Sequence, residues 1–274
     1  MDITSFLHYS FIQRAFLAGS FVAVTCAVLG MFLVLRKMSL IGDGLSHVSL
    51  SAIALGLFFG LYPFYVALPV VVICSILILK ISEKAKIYED AAIGIISAIG
   101  IAGGVILVSL SKGFNMDLLS YLFGNILAIS NIEVIISVLL SFLVMTVLYF
   151  YYWDLFSTTF DEEYARTTGI KIDFINMLLT VLTAITVVLS VKIVGLMMVS
   201  ALLILPSVTS LQLAKDFKSA IFYAVIISLT SVISGITFSF FLDLPAGATI
   251  IMVNAAFFIL ALFTKSLSRF YQGV

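Results

Sequence analysis

The stretch Met38-Ser-Leu-Ile-Gly-Asp-Gly-Leu-Ser-His-Val-Ser-Leu-Ser-Ala-Ile-Ala-Leu-Gly56 decides how the rest of the chain is read. It is apolar enough to enter a bilayer, yet it carries Asp43 and His47 four residues apart, with Ser51 four further on. On a helix that spacing stacks the side chains on one face. Ionisable groups held in hydrocarbon are costly and mark functional positions. One reading makes Asp43 the N-cap of a helix, with His47 bonded to a neighbouring carbonyl. The other makes the two a metal-binding pair, since carboxylate plus imidazole suits zinc, manganese or iron(II). Two ligands are too few for a closed site. Two copies meeting on a two-fold axis would sum to two carboxylates and two imidazoles, and a transport site must release its cargo.

Working outward, the composition agrees with a membrane setting. Of 274 residues, 63% are hydrophobic and 10% charged, against roughly 25% charged in a soluble globular chain. Mean hydropathy is +1.27. Net charge is zero and there is no basic block, so nucleic acid is excluded as a partner. Cys26 and Cys74 lie in apolar runs and read as small buried hydrophobes rather than a disulfide or zinc framework. The amino terminus lacks the basic region of a cleavable leader, and His8 reads as an interfacial residue.

Runs of about 20 apolar residues are long enough to cross a bilayer. They fall at about 11–35, 41–61, 64–79, 91–110, 134–152, 174–191, 193–213, 220–242 and 247–263. Small-residue pairs, Gly56 with Gly60 and Gly100 with Gly104, suit close helix packing. The segment 114–129 is short and carries Asp117, Gly124 and Asn125, which reads as re-entrant or interfacial. The expected fold is all-α: one domain over 1–274, a polytopic transmembrane helical bundle of about 8–9 spans plus a short cytoplasmic coupling helix. With the amino terminus outside and the carboxyl terminus cytoplasmic, eleven of the fourteen basic residues fall inside. The positive-inside rule selects that orientation.

Two further constellations stand out. In the polar insertion 154–173, Ser157, Thr158 or Thr159 is a candidate cap for a short helix. Its first turn would hold Asp161, Glu162 and Glu163, and Gly169 would end it. No Walker motif or other nucleotide fingerprint is present, so an ATP-driven transporter would need its motor on another subunit. Pro206 would remove a backbone donor from its helix and free a carbonyl near Leu202, as a packing kink or a gating hinge. Met197 and Met198 read as lipid- or core-facing, and Glu89, Asp90 and Asp243 as solvated carboxylates at span ends.

Six motifs in order give a resemblance over essentially the whole length. They are Gly42-Asp-Gly-Leu-Ser-His47, Glu89-Asp-Ala-Ala-Ile-Gly94, Leu118-Leu-Ser-Tyr-Leu-Phe-Gly124 and Asp161-Glu-Glu-Tyr-Ala-Arg-Thr-Thr-Gly169. Val194-Gly-Leu-Met-Met-Val-Ser-Ala-Leu-Leu-Ile-Leu-Pro206 and Asp243-Leu-Pro-Ala-Gly247 complete the set. In these the chain resembles the permease subunits of metal-ion ABC importers, which take up zinc, manganese or iron. The resemblance implies a second permease copy, identical or related, and two cytoplasmic ATP-binding subunits. It also implies an extracytoplasmic metal-binding protein and a place in the plasma (inner) membrane. It makes Asp43 and His47 line the metal path and makes 161–169 the coupling helix, with Asp161, Glu162, Ala165 and Gly169 facing the ATPase. The transported metal would be cargo, with no cofactor bound by this chain and no enzymatic activity of its own. An iron-chelate or cobalamin importer would need no first-shell ligands, and an ion-coupled secondary transporter would need no ATPase.

Overall fold

Apolar runs broken by Gly, Pro and charged residues become helices that end at those breaks. The computed structural model describes residues 8–110, 121–125 and 129–271, with side chains to Lys265. In order they form α1 (Ser10–Leu35), α2 (Ile41–Phe58), α3 (Pro63–Ala85), α4 (Glu89–Leu110) and α5 (Asn131–Phe150). Two short helices follow, α6 (Tyr152–Phe160) and α7 (Glu162–Thr167), and then α8 (Ile172–Val194). A 3-10 turn (Leu196–Met198) leads into α9 (Val199–Leu213), α10 (Phe217–Leu242) and α11 (Ala246–Tyr271). Among the described residues nine segments are long and apolar enough to cross a membrane: α1–α5, α8, the 3-10 turn with α9, α10 and α11. The all-α polytopic bundle is as expected, with boundaries shifted by a few residues.

Local chemistry explains the ends. Pro63 opens α3, where its missing N–H costs nothing. Ser130 and Glu133 form a capping box at the start of α5, and Asp216 with Ser219 does the same for α10. Gly60, expected to pack, instead makes the left-handed turn after α2 at φ +66° with open space beside it. Gly56 alone makes the close approach, to Pro63.

The most buried helices are α1 and α8, with α1 touching α5, α8, α9 and α10. Their buried hydroxyls need partners, because hydrocarbon offers none. Thr25, Thr183 and Thr186 donate to the carbonyl four residues back. Others cross between helices: Ser207 Oγ to the Ala27 carbonyl and Ser228 Oγ to the Ala23 carbonyl.

Helix direction follows from glycine contacts. Gly44 lies against Ile93, Gly100 against the His47–Val48 backbone, and Gly104 against Leu50 and Ser51. Numbers climb together on both helices, so α2 and α4 run parallel, with α3 returning between them. The segment 114–129 falls largely outside the described residues. Its flanks nevertheless stand at one end of the bundle: α4 ends where α2 ends, and Tyr62, just after α2, donates to Glu133 at the start of α5 at 2.6 Å.

Candidate metal path

The corner between α1 and α2 positions the Asp–His pair. Lys37 takes φ +59°, the Met38 N–H closes on the Leu33 carbonyl at 2.9 Å, and the Ile41 N–H closes on the Met38 carbonyl at 3.1 Å. The N-cap is Leu40, and no side chain caps the helix. Asp43 therefore stands inside the first turn rather than capping it, where the helix dipole still favours a carboxylate.

His47 Nε2 lies 3.5 Å from Asp43 Oδ2, with side chains 28% and 51% exposed. Ser200 Oγ, in the first turn of α9, donates to Asp43 Oδ1 at 3.3 Å. Among the described residues His47 is the ion-pair partner of Asp43, with no Lys or Arg alongside. No third His, Cys, Asp or Glu joins them in that set. Ser51, the third residue of the stripe, is turned to α4, where its hydroxyl donates to the Gly100 carbonyl.

The depth of the pair is a tertiary result. Counted straight up from Arg36 and Lys37, Asp43 would stand only about 9 Å above the helix end. Leu203 of α9 lies against both Gly30 and Gly42, its carbonyl leaving no room for a Cβ on the former and its side-chain tip packing on the latter. The corner is thus drawn up until the start of α2 is level with Gly30, well before the end of α1. His47 faces Gly100, 11 residues or about 16 Å along the 22-residue α4. The His47 backbone stands near the middle of the bundle.

The short helices lie at the opposite end from Tyr62. Asp161, not Ser157, Thr158 or Thr159, caps α7, with its Oδ1 accepting from the Tyr164 N–H at 2.9 Å. The three hydroxyl residues sit within α6, where Thr158 and Thr159 bond backward to carbonyls. Glu162 pairs with Arg166 at 3.7 Å on an exposed face, while Ala165 is fully buried. Gly169 ends the element at φ +86°. Pro206 is buried within α9, which continues to Leu213. Met197 is 64% exposed. Asp90 is exposed, and Asp243 closes α10 in a left-handed cap.

Two polar groupings went unread in the sequence. Arg36 Nη2 donates to Asn176 Oδ1 in the first turns of α8. Glu133 is nearly buried and accepts from Tyr62, from the Ser130 N–H and Oγ, and ion-pairs with Lys192 at 3.2 Å. Lys192 also stands over the Tyr121 ring at 4.7 Å. Burial and the carboxylate beside it push the Tyr62 phenol well above its usual pKa. The Ser130-x-x-Glu133 pattern was a visible capping signal, but the pairing with Lys192 spans 59 residues. Just past it Gly195 (φ +87°) packs so closely on the backbone of 122–124 that no Cβ fits. That break ends α8, starts α9 and delivers Ser200 to Asp43.

Comparison with known proteins places this architecture. The manganese transport system membrane protein MntC of Halalkalibacterium halodurans is 33% identical over 271 residues, spanning 97% of this chain and 93% of that protein. The high-affinity zinc uptake system membrane protein ZnuB of Haemophilus influenzae is 34% identical over 92% of this chain and 96% of its own length. Among solved structures, PsaBC from Streptococcus pneumoniae in complex with Fab superposes with a TM-score of 0.85 at 31% identity, covering 94% of this chain and 93% of that one. The ABC 3 transport family model matches residues 8–265, which with these full-length relatives makes the chain a membrane-spanning member of the ABC 3 transport family.

Proposed function

We propose that the chain is the permease subunit of an ATP-driven importer of divalent transition metal ions, with Asp43 and His47 on the path. The observation that carries this is the 3.5 Å separation of His47 Nε2 and Asp43 Oδ2 at mid-bundle. Two donors each about 2.0–2.1 Å from a tetrahedral Zn²⁺ stand about 3.3 Å apart. The unliganded pair is therefore close to the edge of a coordination polyhedron. One chain supplies half a shell, and a second permease copy brings the other half. Manganese and zinc are the favoured cargo because most relatives named for transport are named for those metals, with one named for iron.

In this reading two cytoplasmic ATP-binding subunits drive the pair of permeases between outward and inward states, and an extracytoplasmic protein delivers the metal. The helix α7 is the docking element: Asp161, Glu162 and Gly169 lie on its exposed side, and the buried Ala165 seats it on the bundle. The amino terminus is extracytoplasmic, as the distribution of basic residues favours.

The test is purification of the whole complex, with uptake of Mn²⁺ and Zn²⁺ measured in proteoliposomes with and without ATP. ATP-dependent uptake is expected, and uptake driven by a proton or sodium gradient without a bound ATPase would overturn the reading. Ala165→Pro breaks α7 at its one buried residue and is expected to abolish stimulation of the ATPase by metal-loaded binding protein. Normal stimulation in that variant would remove the docking assignment.

Ser200 is the orienting residue for Asp43. Losing an outer-shell hydrogen bond to a ligand costs 10–100-fold in metal affinity in buried sites. This hydroxyl is partly exposed, so Ser200→Ala is expected to raise the half-saturating metal concentration by about tenfold. Titration of uptake against free metal reads the change, and an unaltered curve would show that the 3.3 Å contact does not hold the carboxylate.

A further inference from the structure

Arg36 is a charged residue that the metal path and the docking helix leave unused. It closes α1, seven residues before Asp43. One arm of its guanidinium is bound by Asn176 of α8, while Nη1 is buried and has no hydrogen-bond partner among the described residues. A buried cationic donor left unpaired is costly, and the structure keeps it beside groups that could accept it. Arg36 borders a cavity of about 290 Å³ whose lining includes Glu89, Thr158, Thr159 and Glu162. Burial lowers the pKa of Arg36, while Glu162 and Glu89 raise it. Glu89 is half-buried rather than the solvated carboxylate expected of a span end.

The two carboxylates come from elements with different duties. Glu162 is the first residue of α7. Glu89 is the first residue of α4, which runs parallel to α2 and touches the backbone of His47 through Gly100. The corner from Leu33 to Ile41 is closed by successive backbone hydrogen bonds, so a shift at Arg36 has little slack to absorb it before Asp43.

We propose that Arg36 is the positioning residue that passes movement of the docking helix to the metal pair. Its free guanidinium arm pairs with Glu162 when α7 is drawn toward the cavity and with Glu89 when α7 withdraws. Each exchange shifts the root of α2 and with it the separation of Asp43 and His47 from their counterparts in the second copy. This rests on the importer reading above and adds to it the residue through which the two sites communicate.

The experiment uses the full complex in proteoliposomes and reads Mn²⁺ taken up per ATP hydrolysed. For Arg36→Ala, hydrolysis is expected to continue while that ratio falls by about tenfold, within the range of ordinary inter-site coupling. Arg36→Lys keeps the charge without the planar fork and is expected to fall between the two. Arg36→Glu combined with Glu89→Arg is expected to recover part of the ratio lost in Arg36→Glu alone. An unchanged ratio in Arg36→Ala overturns the inference. So does an equal loss of ratio and thermal stability in the Ala and Lys variants, which would mark a packing role. If the Ala variant fails to assemble, the charge-exchange pair decides, and absence of any recovery there overturns it. If the wild type shows no ATP-dependent uptake, the importer reading fails first and takes this one with it.

Discussion

Asp43→Ala and His47→Ala are each expected to abolish ATP-dependent metal accumulation, with the permease still assembling with its partners. The loss is expected to exceed the 10–100-fold that outer-shell substitutions cost, because each change removes a donor atom itself. In a two-fold arrangement each substitution also strikes both copies, leaving two of four donors. Assembly is expected to survive because neither side chain is part of the core: the carboxylate side chain is half exposed and its contacts are His47 and Ser200. Asp43→Asn is the sharper version, keeping shape and the Ser200 hydrogen bond while removing the charge. Uptake of Mn²⁺ and Zn²⁺, read beside the yield of intact complex, checks the result. Undiminished uptake in both alanine variants would exclude the pair from the path and favour a chelate-type cargo, which needs no first-shell ligands.

Lys192→Ala is expected to lower the stability of the folded chain, through a network at the Tyr62 end of the bundle. Its partner Glu133 is mostly buried, with its side chain 10% exposed. Removing one member of a buried ion pair strands the other, at a cost of about 3–5 kcal/mol. Glu133 keeps its hydrogen bonds from Tyr62 and Ser130, so the lower end of that range is expected. Lys192→Ala combined with Glu133→Gln removes the stranded charge and is expected to regain most of the loss. Thermal unfolding of the detergent-solubilised protein reads both, and equal transition temperatures for the single variant and the wild type would refute the assignment. The network also ties together Tyr62, the start of α5, the end of α8 and Tyr121, so a drop in protease resistance of all four is expected with it.

Much of this molecule was legible because bilayer physics acts on short windows of sequence. Nine apolar runs read as nine spans, since each must bury its own backbone polar groups within about 20 residues. The end of α7 at Gly169 and the acidic residues of its first turn were legible for the same local reason. The cap was misplaced by a few residues, because hydroxyls that bond backward inside α6 look identical in sequence to hydroxyls that cap. Gly60 was misread as a packing residue because spacing does not distinguish a small side chain from a left-handed turn.

The chemistry at Asp43 and His47 was equally local: an i, i+4 pair shares a face wherever the helix goes. Its depth was not. That depends on Leu203 meeting Gly30 and Gly42 across about 160–170 residues of chain, which draws the corner up into the bundle. Ser200 reaches Asp43 only because Gly195 breaks the helix against the backbone of 122–124, and Arg36 bonds Asn176 and shares a cavity lining with Glu89 and Glu162 from two further elements. By itself the sequence determined the spans, their helical nature and the identity of the metal-suited pair, because those follow from hydrophobicity and helical period. Only the tertiary structure decided how deep that pair lies, what orients it and which charges stand beneath it, because those are set by close approaches between helices remote in the chain.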